Sequence, residues 1–170
     1  LLPKAGIDLT TWSVVACDQY TSDHAYWNAV ENAVGNAPST LRITLPEIFL
    51  EQPGIEGRIS AIRAAMADYM ARGILENRGE AITYIKRTTA HSGTREGLLF
   101  AMDLERYSYA RDSKSLIRAT EGTIVDRIPP RLAVRRAAPL ELPHIMILID
   151  DAKHELIEGL AAKVADFEPA

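Results

Sequence analysis

The sequence predicts an α+β fold in which helices pack on an antiparallel or mixed sheet. One segment, residues 55–75, repeats apolar side chains at steps of three and four, which is typical of an amphipathic helix. Two strand-like segments, residues 81–86 and 97–102, flank a short polar stretch that favours a hairpin. A fully apolar run at residues 145–149 predicts a further, central strand. Because a hairpin occurs beside strand–helix units, neither a purely parallel sheet nor an all-β sandwich fits.

The N-terminal third is predicted to contain two strands and one helix. Residues 12–16 form a short apolar run before a polar turn, which indicates a buried strand that leads into a helix. From Asp23 onward apolar positions recur at helical spacing, and Thr21 or Ser22 is the expected N-cap. Residues 41–45 alternate between apolar and polar side chains, so a second strand is expected there.

The C-terminal part is predicted to contain a short helix, the central strand and a last helix. Two consecutive prolines, Pro129 and Pro130, favour a helix start, so a short helix is expected around residues 131–137. The aspartate pair 150–151 leads into a helix over residues 153–164. Aspartate is also a magnesium ligand, but before a helix it is interpreted first as a cap.

Length and composition restrict the possible classes of protein. The 170 residues fit a single domain over residues 1–170, and a hydrophobic content of 47% suffices for a core. No run approaches the roughly 18–20 consecutive apolar residues of a membrane helix. The single Cys17 cannot form an internal disulfide, so a reducing, cytoplasmic compartment is expected. The net charge of −4 weighs against indiscriminate binding to nucleic acid.

Residues 113–131 concentrate arginines in an irregular segment, which predicts an anion site. Guanidinium groups suit phosphate and carboxylate oxygens, and neighbouring hydroxyls supply further donors. The candidate phosphate-binding residues are Arg118, Thr120, Thr123, Arg127 and Arg131. Glu121 is the candidate catalytic residue, as a general base or metal-bridging group, but it fits a structural ion pair equally well. No residue is assigned as a metal ligand, and magnesium is expected only together with a nucleotide.

A second candidate anion site is the polar turn before the first predicted helix. Asp18, Thr21 and Ser22 precede a helix N-terminus, where free backbone N–H groups attract anions. The same residue types also form turns and caps without binding a ligand, so both interpretations stay open. Cys17 has no partner in the sequence that would activate its thiol, and it is interpreted as a small buried residue.

Four segments, in their order and spacing, resemble the bacterial proteins grouped as the DUF1015 family: residues 14–22, 37–41, 113–131 and 138–144. The resemblance spans nearly the whole chain and brings no established activity with it. It implies a longer protein whose later half carries a segment like the Asp-Gly-His-His-Arg motif of the ParB-like fold, found in nucleotide-using proteins including a free serine kinase. That motif does not occur in this sequence. A start without Met and an end at Pro169-Ala170 fit an N-terminal portion, so a missing C-terminal half is an expected partner.

Three functional hypotheses follow. The first is an enzyme that binds a nucleotide or phosphorylated metabolite for phosphotransfer. The second is a non-catalytic module that binds nucleic acid or a protein; nucleic acid is less expected, because its binding faces usually add stacking aromatics and more lysine. The third is a structural domain that packs on the missing half of the chain, which predicts an exposed apolar face and self-association.

Overall fold

A computed structural model confirms the α+β class, with helices beside small antiparallel and parallel sheets. The structure describes residues 1–104, 107–108, 110–118, 122, 124–142 and 144–164. The chain forms two compact units, and each unit consists of two separate stretches of the sequence. The first unit is Leu1–Asn77 with Thr123–His144, and the second is Arg78–Gly122 with Ile145–Ala170.

Helices dominate the first unit. Its helices and strands are β1 (Leu2–Pro3), α1 (Leu9–Trp12), α2 (His24–Val34), α3 (Ile55–Ala71), β2 (Leu75–Glu76) and α4 (Ile128–Arg135). Strands β1 and β2 pair antiparallel. Three short 3-10 turns supplement them, at Thr40–Arg42, Glu47–Phe49 and Val125–Arg127.

Helix α3 confirms the strongest periodic pattern of the sequence, although it ends four residues before the predicted Leu75. Gly73 adopts a left-handed conformation with φ of 62°, which glycine accepts without the steric penalty of a Cβ. The N–H of Gly73 donates to the carbonyl of Met70, and that of Ile74 donates to the carbonyl of Tyr69. These two bonds form a Schellman cap that ends the helix.

The buried core of the first unit consists of two apolar clusters. The larger one lies against the inner face of α3 and includes Ile43 and Val134. The smaller one is built on α2 and consists of Trp27, Val34, Leu41 and Ile48. A buried polar link ties α1 to α3: the Tyr69 hydroxyl bonds both backbone groups of Ser39, at 2.8 and 3.2 Å, and the Ser39 hydroxyl donates to the carbonyl of Trp12.

Both strands predicted in the N-terminal third are wrong. Residues 9–12 form α1, where Asp8 accepts the N–H of Thr10 as a cap, and residues 13–16 are extended without strand pairing. The alternating segment 41–45 begins with a 3-10 turn, because the Ser39 hydroxyl caps it by accepting the N–H of Leu41. Its alternation still has a packing cause, since Leu41 and Ile43 are buried in different clusters.

Helices α2 and α4 confirm two further predictions with altered ends. Asp23 caps α2 by accepting the N–H of Tyr26, so the expected caps Thr21 and Ser22 are wrong. Helix α4 starts at Ile128, earlier than predicted, because the prolines occupy its first turn, where a missing N–H costs no helical bond. It ends at Arg135, and Ala137 has a positive φ of 62°.

The second unit contains a regular hairpin and short elements. These are β3 (Thr83–Thr89), β4 (Gly93–Leu99), β5 (Tyr107–Ser108), β6 (Ile117–Arg118) and α5 (Ile157–Ala161). Strands β3 and β4 pair antiparallel, as predicted, and the register extends into the polar stretch as far as Thr89 opposite Gly93. The tip around His91 is a solvated turn held by the Thr89 hydroxyl, which accepts the N–H of Ser92.

The predicted central strand at residues 145–149 is wrong, because this segment has no strand partner among the described residues. The last helix is limited to α5, shorter than the expected residues 153–164. Asp151 explains the delay: its carboxylate accepts the N–H groups of Glu155 and Leu156 and holds a turn. These bonds keep the pKa of Asp151 below its ordinary value.

Among the described residues, every buried large apolar side chain belongs to the first unit. The second unit therefore has no buried apolar core in its described part. Among the described residues of both units, no helix has both the length and the apolar character that crossing a membrane requires.

Candidate functional site

A buried carboxylate in the first unit holds two of the arginines that the sequence singles out. The Glu47 side chain is 5% exposed, and its two oxygens pair with different guanidinium groups. Arg127 donates through Nη1 to Oε2 at 2.8 Å, and Arg131 donates through Nη2 to Oε1. The arginine side chains remain 46% and 48% exposed. These three side chains together carry a net charge of +1, and the two guanidinium groups are partly accessible to solvent.

Local structure fixes the position of Glu47. Pro46, with φ of −60°, caps the 3-10 turn, and Glu47 is the first residue of that turn. Ile48, the next residue, is buried in the smaller apolar cluster and anchors the turn. The backbone N–H of Glu47 donates to the carbonyl of Cys17 at 2.8 Å. Packing and this backbone hydrogen bond therefore help to position the carboxylate, in addition to its ion pairs with the arginines.

The two arginines are placed by the start of α4. Arg127 is the residue before the helix and Arg131 follows four residues later, a spacing that puts both on one face. Val134 anchors the helix in the larger apolar cluster. Arg63 of α3 donates to the carbonyls of Ala133 and Val134, which satisfies acceptors at the helix end.

Cys17 lies beside this cluster, so the structure brings the predicted turn and the predicted arginine segment together. Burial raises the pKa of the Cys17 thiol, the Asp18 carboxylate raises it further, and Glu47 also raises it. The positive charge of Arg131 lowers it but is outweighed. The thiol is therefore held protonated, which removes the reactivity that a nucleophilic cysteine needs.

The other residues of the predicted turn lie at the surface. Asp18, Thr21 and Ser22 are all exposed. The helix terminus that was expected to attract an external anion already has an internal one, because the Asp23 carboxylate accepts the N–H of Tyr26. Thr21 and Ser22 therefore do not act as the helix cap, because Asp23 takes that role.

Four predicted site residues remain: Arg118, Thr120, Glu121 and Thr123. Arg118 belongs to the second unit, on β6, where its Nε donates to the carbonyl of Ser115 at 3.1 Å. Glu121, Thr120 and Thr123 lie outside the described residues. Their assignment as catalytic and phosphate-binding groups stays a prediction.

Sequence reasoning missed Glu47, although it left a signal. Glu47 is the one charged residue in the run Leu45-Pro46-Glu47-Ile48-Phe49-Leu50. An acidic side chain inside an apolar run must be paired when the run is buried, because an unpaired buried charge is costly. The sequence gives no indication of the partners, since they follow 80 and 84 residues later.

An open groove of about 370 Å³ lies between α1 and α2, and none of the residues that line it is charged. Its walls are threonine and serine hydroxyls, Val30 and other aliphatic groups, and Tyr26. It offers no cation to a phosphate. In the part of the chain that the structure describes, no three His, Cys, Asp or Glu residues form a group able to hold a metal ion.

A family comparison agrees with the resemblance that the sequence motifs carry. The chain matches the family described as Protein of unknown function (DUF1015) over residues 1–170. It therefore belongs to the DUF1015 family. No curated protein and no solved structure matches it. The ParB-like kinship stays a prediction.

Proposed function

We propose that this protein binds a small phosphorylated ligand, a nucleotide or a phosphorylated metabolite, through Arg127 and Arg131. The observation that carries the proposal is the pairing of two half-exposed guanidinium groups with one buried carboxylate. Glu47 fixes both arginines at one end and leaves N–H donors directed outward. A phosphate has several acceptor oxygens and matches such a pair of planar donors.

The charge distribution favours a small anion over a polyanion. The whole chain carries a net charge of −4, whereas the cluster has a local excess of one positive charge. A broad basic face is what usually drives nucleic-acid binding. Phosphotransfer, with magnesium bound together with the ligand, extends the same proposal. A cytoplasmic location belongs with it, since Cys17 is the only cysteine.

Thermal unfolding with a ligand panel tests the proposal. Nucleotides, sugar phosphates, pyrophosphate and unphosphorylated sugars are compared, each with and without magnesium. A ligand at about 100 times its dissociation constant stabilises the protein by roughly 2.7 kcal/mol, which shifts the transition measurably. We expect shifts with phosphorylated compounds only. Equal shifts with unphosphorylated compounds, or none with any compound, contradict the proposal.

A matched pair of variants assigns the shift to the cluster. Arg131→Ala removes one guanidinium, while Arg127 still neutralises Glu47. Arg135→Ala is the control, because Arg135 lies on the same helix, is exposed to the same degree and also pairs with a carboxylate, that of Glu141. The ligand-induced shift should fall to about half or less in the first variant, as at least tenfold weaker binding requires, and persist in the second. An unchanged shift in Arg131→Ala removes this site from consideration.

A second candidate function is self-association through residues 145–149. All five side chains of this segment are large, apolar and exposed, and Ile145, Met146 and Leu148 expose most of their surface. The segment carries backbone groups that no described strand pairs. A contiguous exposed apolar segment marks an interaction surface.

The sequence of the segment favours a second copy of this chain as the occupant. In an antiparallel pair centred on Ile147, Ile145 of one copy faces Ile149 of the other, and Met146 faces Leu148. The same register sets His144 opposite Asp150, so an imidazole donor meets a carboxylate at each end. Opposite-charge and apolar cross-strand pairs are the pairs that stabilise an antiparallel ladder. A two-fold symmetric contact of this kind is the commonest route to a dimer.

Analytical ultracentrifugation of Ile147→Lys tests the symmetric contact. The substitution places two lysines directly opposite each other at the two-fold axis, so a dimeric wild type should become monomeric. Ile82→Lys is the control, since Ile82 is also an exposed isoleucine of the second unit, and it should leave the dimer intact. A monomeric wild type, or an Ile147→Lys variant that remains dimeric, rules the contact out.

A further inference from the structure

Tyr20 presents a partly exposed aromatic ring in the first unit. Its side chain is 52% exposed although the ring is large. One face stacks on Tyr26, with ring centroids 4.0 Å apart and planes inclined by 17°. Tyr26 in turn meets the buried ring of Trp27 edge to face. The three rings form a supported stack whose outermost member is Tyr20.

The backbone holds Tyr20 in an unusual conformation. Its φ is +51°, a left-handed value that a bulky residue other than glycine rarely adopts. Its carbonyl accepts the indole N–H of Trp27 at 3.2 Å and the backbone N–H of Asp23 at 3.1 Å. The surrounding structure thus maintains a strained residue, and such residues concentrate at ligand-binding positions.

The backbone connects Tyr20 to the arginine cluster through Cys17. Cys17, three residues earlier, is bonded through its carbonyl to the backbone of Glu47, whose side chain holds Arg131. Three residues span at most about 11 Å when fully extended. A hydrogen bond from Gln19 N–H to the Ala16 carbonyl turns this stretch and shortens the span. The exposed Tyr20 ring and the arginine cluster therefore belong to the same unit, and residues 17–20 connect them.

We propose that the ligand of the Arg127 and Arg131 cluster is a nucleotide whose base stacks on the exposed face of Tyr20. The inference rests on the proposed function and narrows its ligand class. A nucleotide joins a flat aromatic base to phosphates through a ribose, so one molecule engages both features. A sugar phosphate has no flat aromatic group and leaves Tyr20 without a role. Base stacking on an aromatic side chain is tolerant of base identity, so the ring selects nucleotides as a class.

Calorimetric titrations with ATP and with tripolyphosphate separate the base from the phosphates. Tyr20→Ala removes the stacking ring and should weaken ATP binding roughly 5- to 150-fold, the range expected for loss of one base–aromatic stack. Tripolyphosphate has no base, so its affinity should not change. Tyr20→Phe keeps the ring and should bind ATP as the wild type does. Tyr20→Asn is a second ring-free variant whose residue type accepts the left-handed backbone, and it should match Tyr20→Ala.

The outcomes distinguish this inference from the proposal on which it rests. If ATP and tripolyphosphate bind the wild type and both ring-free variants retain full ATP affinity, base stacking is wrong while the phosphate site stands. If neither compound binds the wild type, the phosphate site and the stacking both fail. If an RNA oligonucleotide binds with a steep salt dependence and ATP does not bind, the site serves a nucleic acid and the mononucleotide inference is overturned.

Discussion

Replacing Arg127 and Arg131 together by alanine should lower the free energy of unfolding by about 3 kcal/mol. The loss arises because Glu47, 5% exposed, keeps a buried charge without a partner. Removing the partners of a buried charge costs about 3–5 kcal/mol, and the lower end applies because both guanidinium groups are half exposed. Urea denaturation of the wild type and the double variant measures the difference.

Two further variants identify the unpaired charge as the cause. Adding Glu47→Gln to the double variant removes the charge and should recover part of the lost stability. Arg135→Ala breaks an exposed ion pair of the same helix and should cost at most about 1 kcal/mol. A double variant no less stable than Arg135→Ala, or a triple variant no more stable than the double, contradicts the role assigned to Glu47.

Trp27→Ala should destabilise the first unit by about 3–5 kcal/mol, the usual cost of truncating a buried tryptophan. Trp27 is among the most completely buried side chains and is the centre of the smaller apolar cluster with Val34, Leu41 and Ile48. The truncation also removes the indole N–H that bonds the Tyr20 carbonyl. Thermal or urea unfolding measures the effect.

Trp27→Phe separates the packing from the hydrogen bond. The phenyl ring fills most of the site but has no donor, so the loss should be much smaller than for alanine, although the Tyr20 carbonyl loses one of its two donors. If alanine costs less than about 1.5 kcal/mol, the smaller cluster is not a core of the first unit. If phenylalanine costs as much as alanine, the hydrogen bond, not the packing, carries the stability.

Elements with local determinants could be predicted from the sequence. Helix α3 follows from an apolar stripe that repeats along its 17 residues. The β3–β4 hairpin follows from two strand-like segments on either side of a short polar stretch that contains Gly93. In each case the residues that decide the structure are neighbours in sequence, so periodicity and turn chemistry are sufficient. The same holds for the start of α4 at its two prolines.

Short apolar segments could not be assigned by the same reasoning. Residues 12–16 and 41–45 have strand-like patterns, yet their course is decided by the caps Asp8 and Ser39 and by burial in two different clusters. Residues 145–149 have the strongest strand pattern of all and no described partner strand. A strand needs a neighbour, and the sequence of the strand does not supply one.

The sequence indicated the arginines of the candidate site but not their buried partner. Arg127 and Arg131 belong to a conspicuous basic segment, whereas Glu47 and Tyr20 attract no attention as single residues. Their importance comes from contacts that the sequence pattern does not mark: Glu47 pairs with arginines 80 and 84 residues away, and Tyr20 bonds Trp27 across a loop of the chain. Tertiary packing creates these contacts.

The phosphate-binding site proposed for this protein consists of Arg127 and Arg131, held by Glu47. Isothermal titration calorimetry of tripolyphosphate into the wild type, Arg131→Ala and Arg135→Ala tests it most directly. We expect saturable binding to the wild type and to Arg135→Ala, and at least about tenfold weaker binding to Arg131→Ala, since a charge-assisted contact contributes roughly 1.5–3 kcal/mol. Equal affinity of all three proteins, or no binding to the wild type, contradicts it.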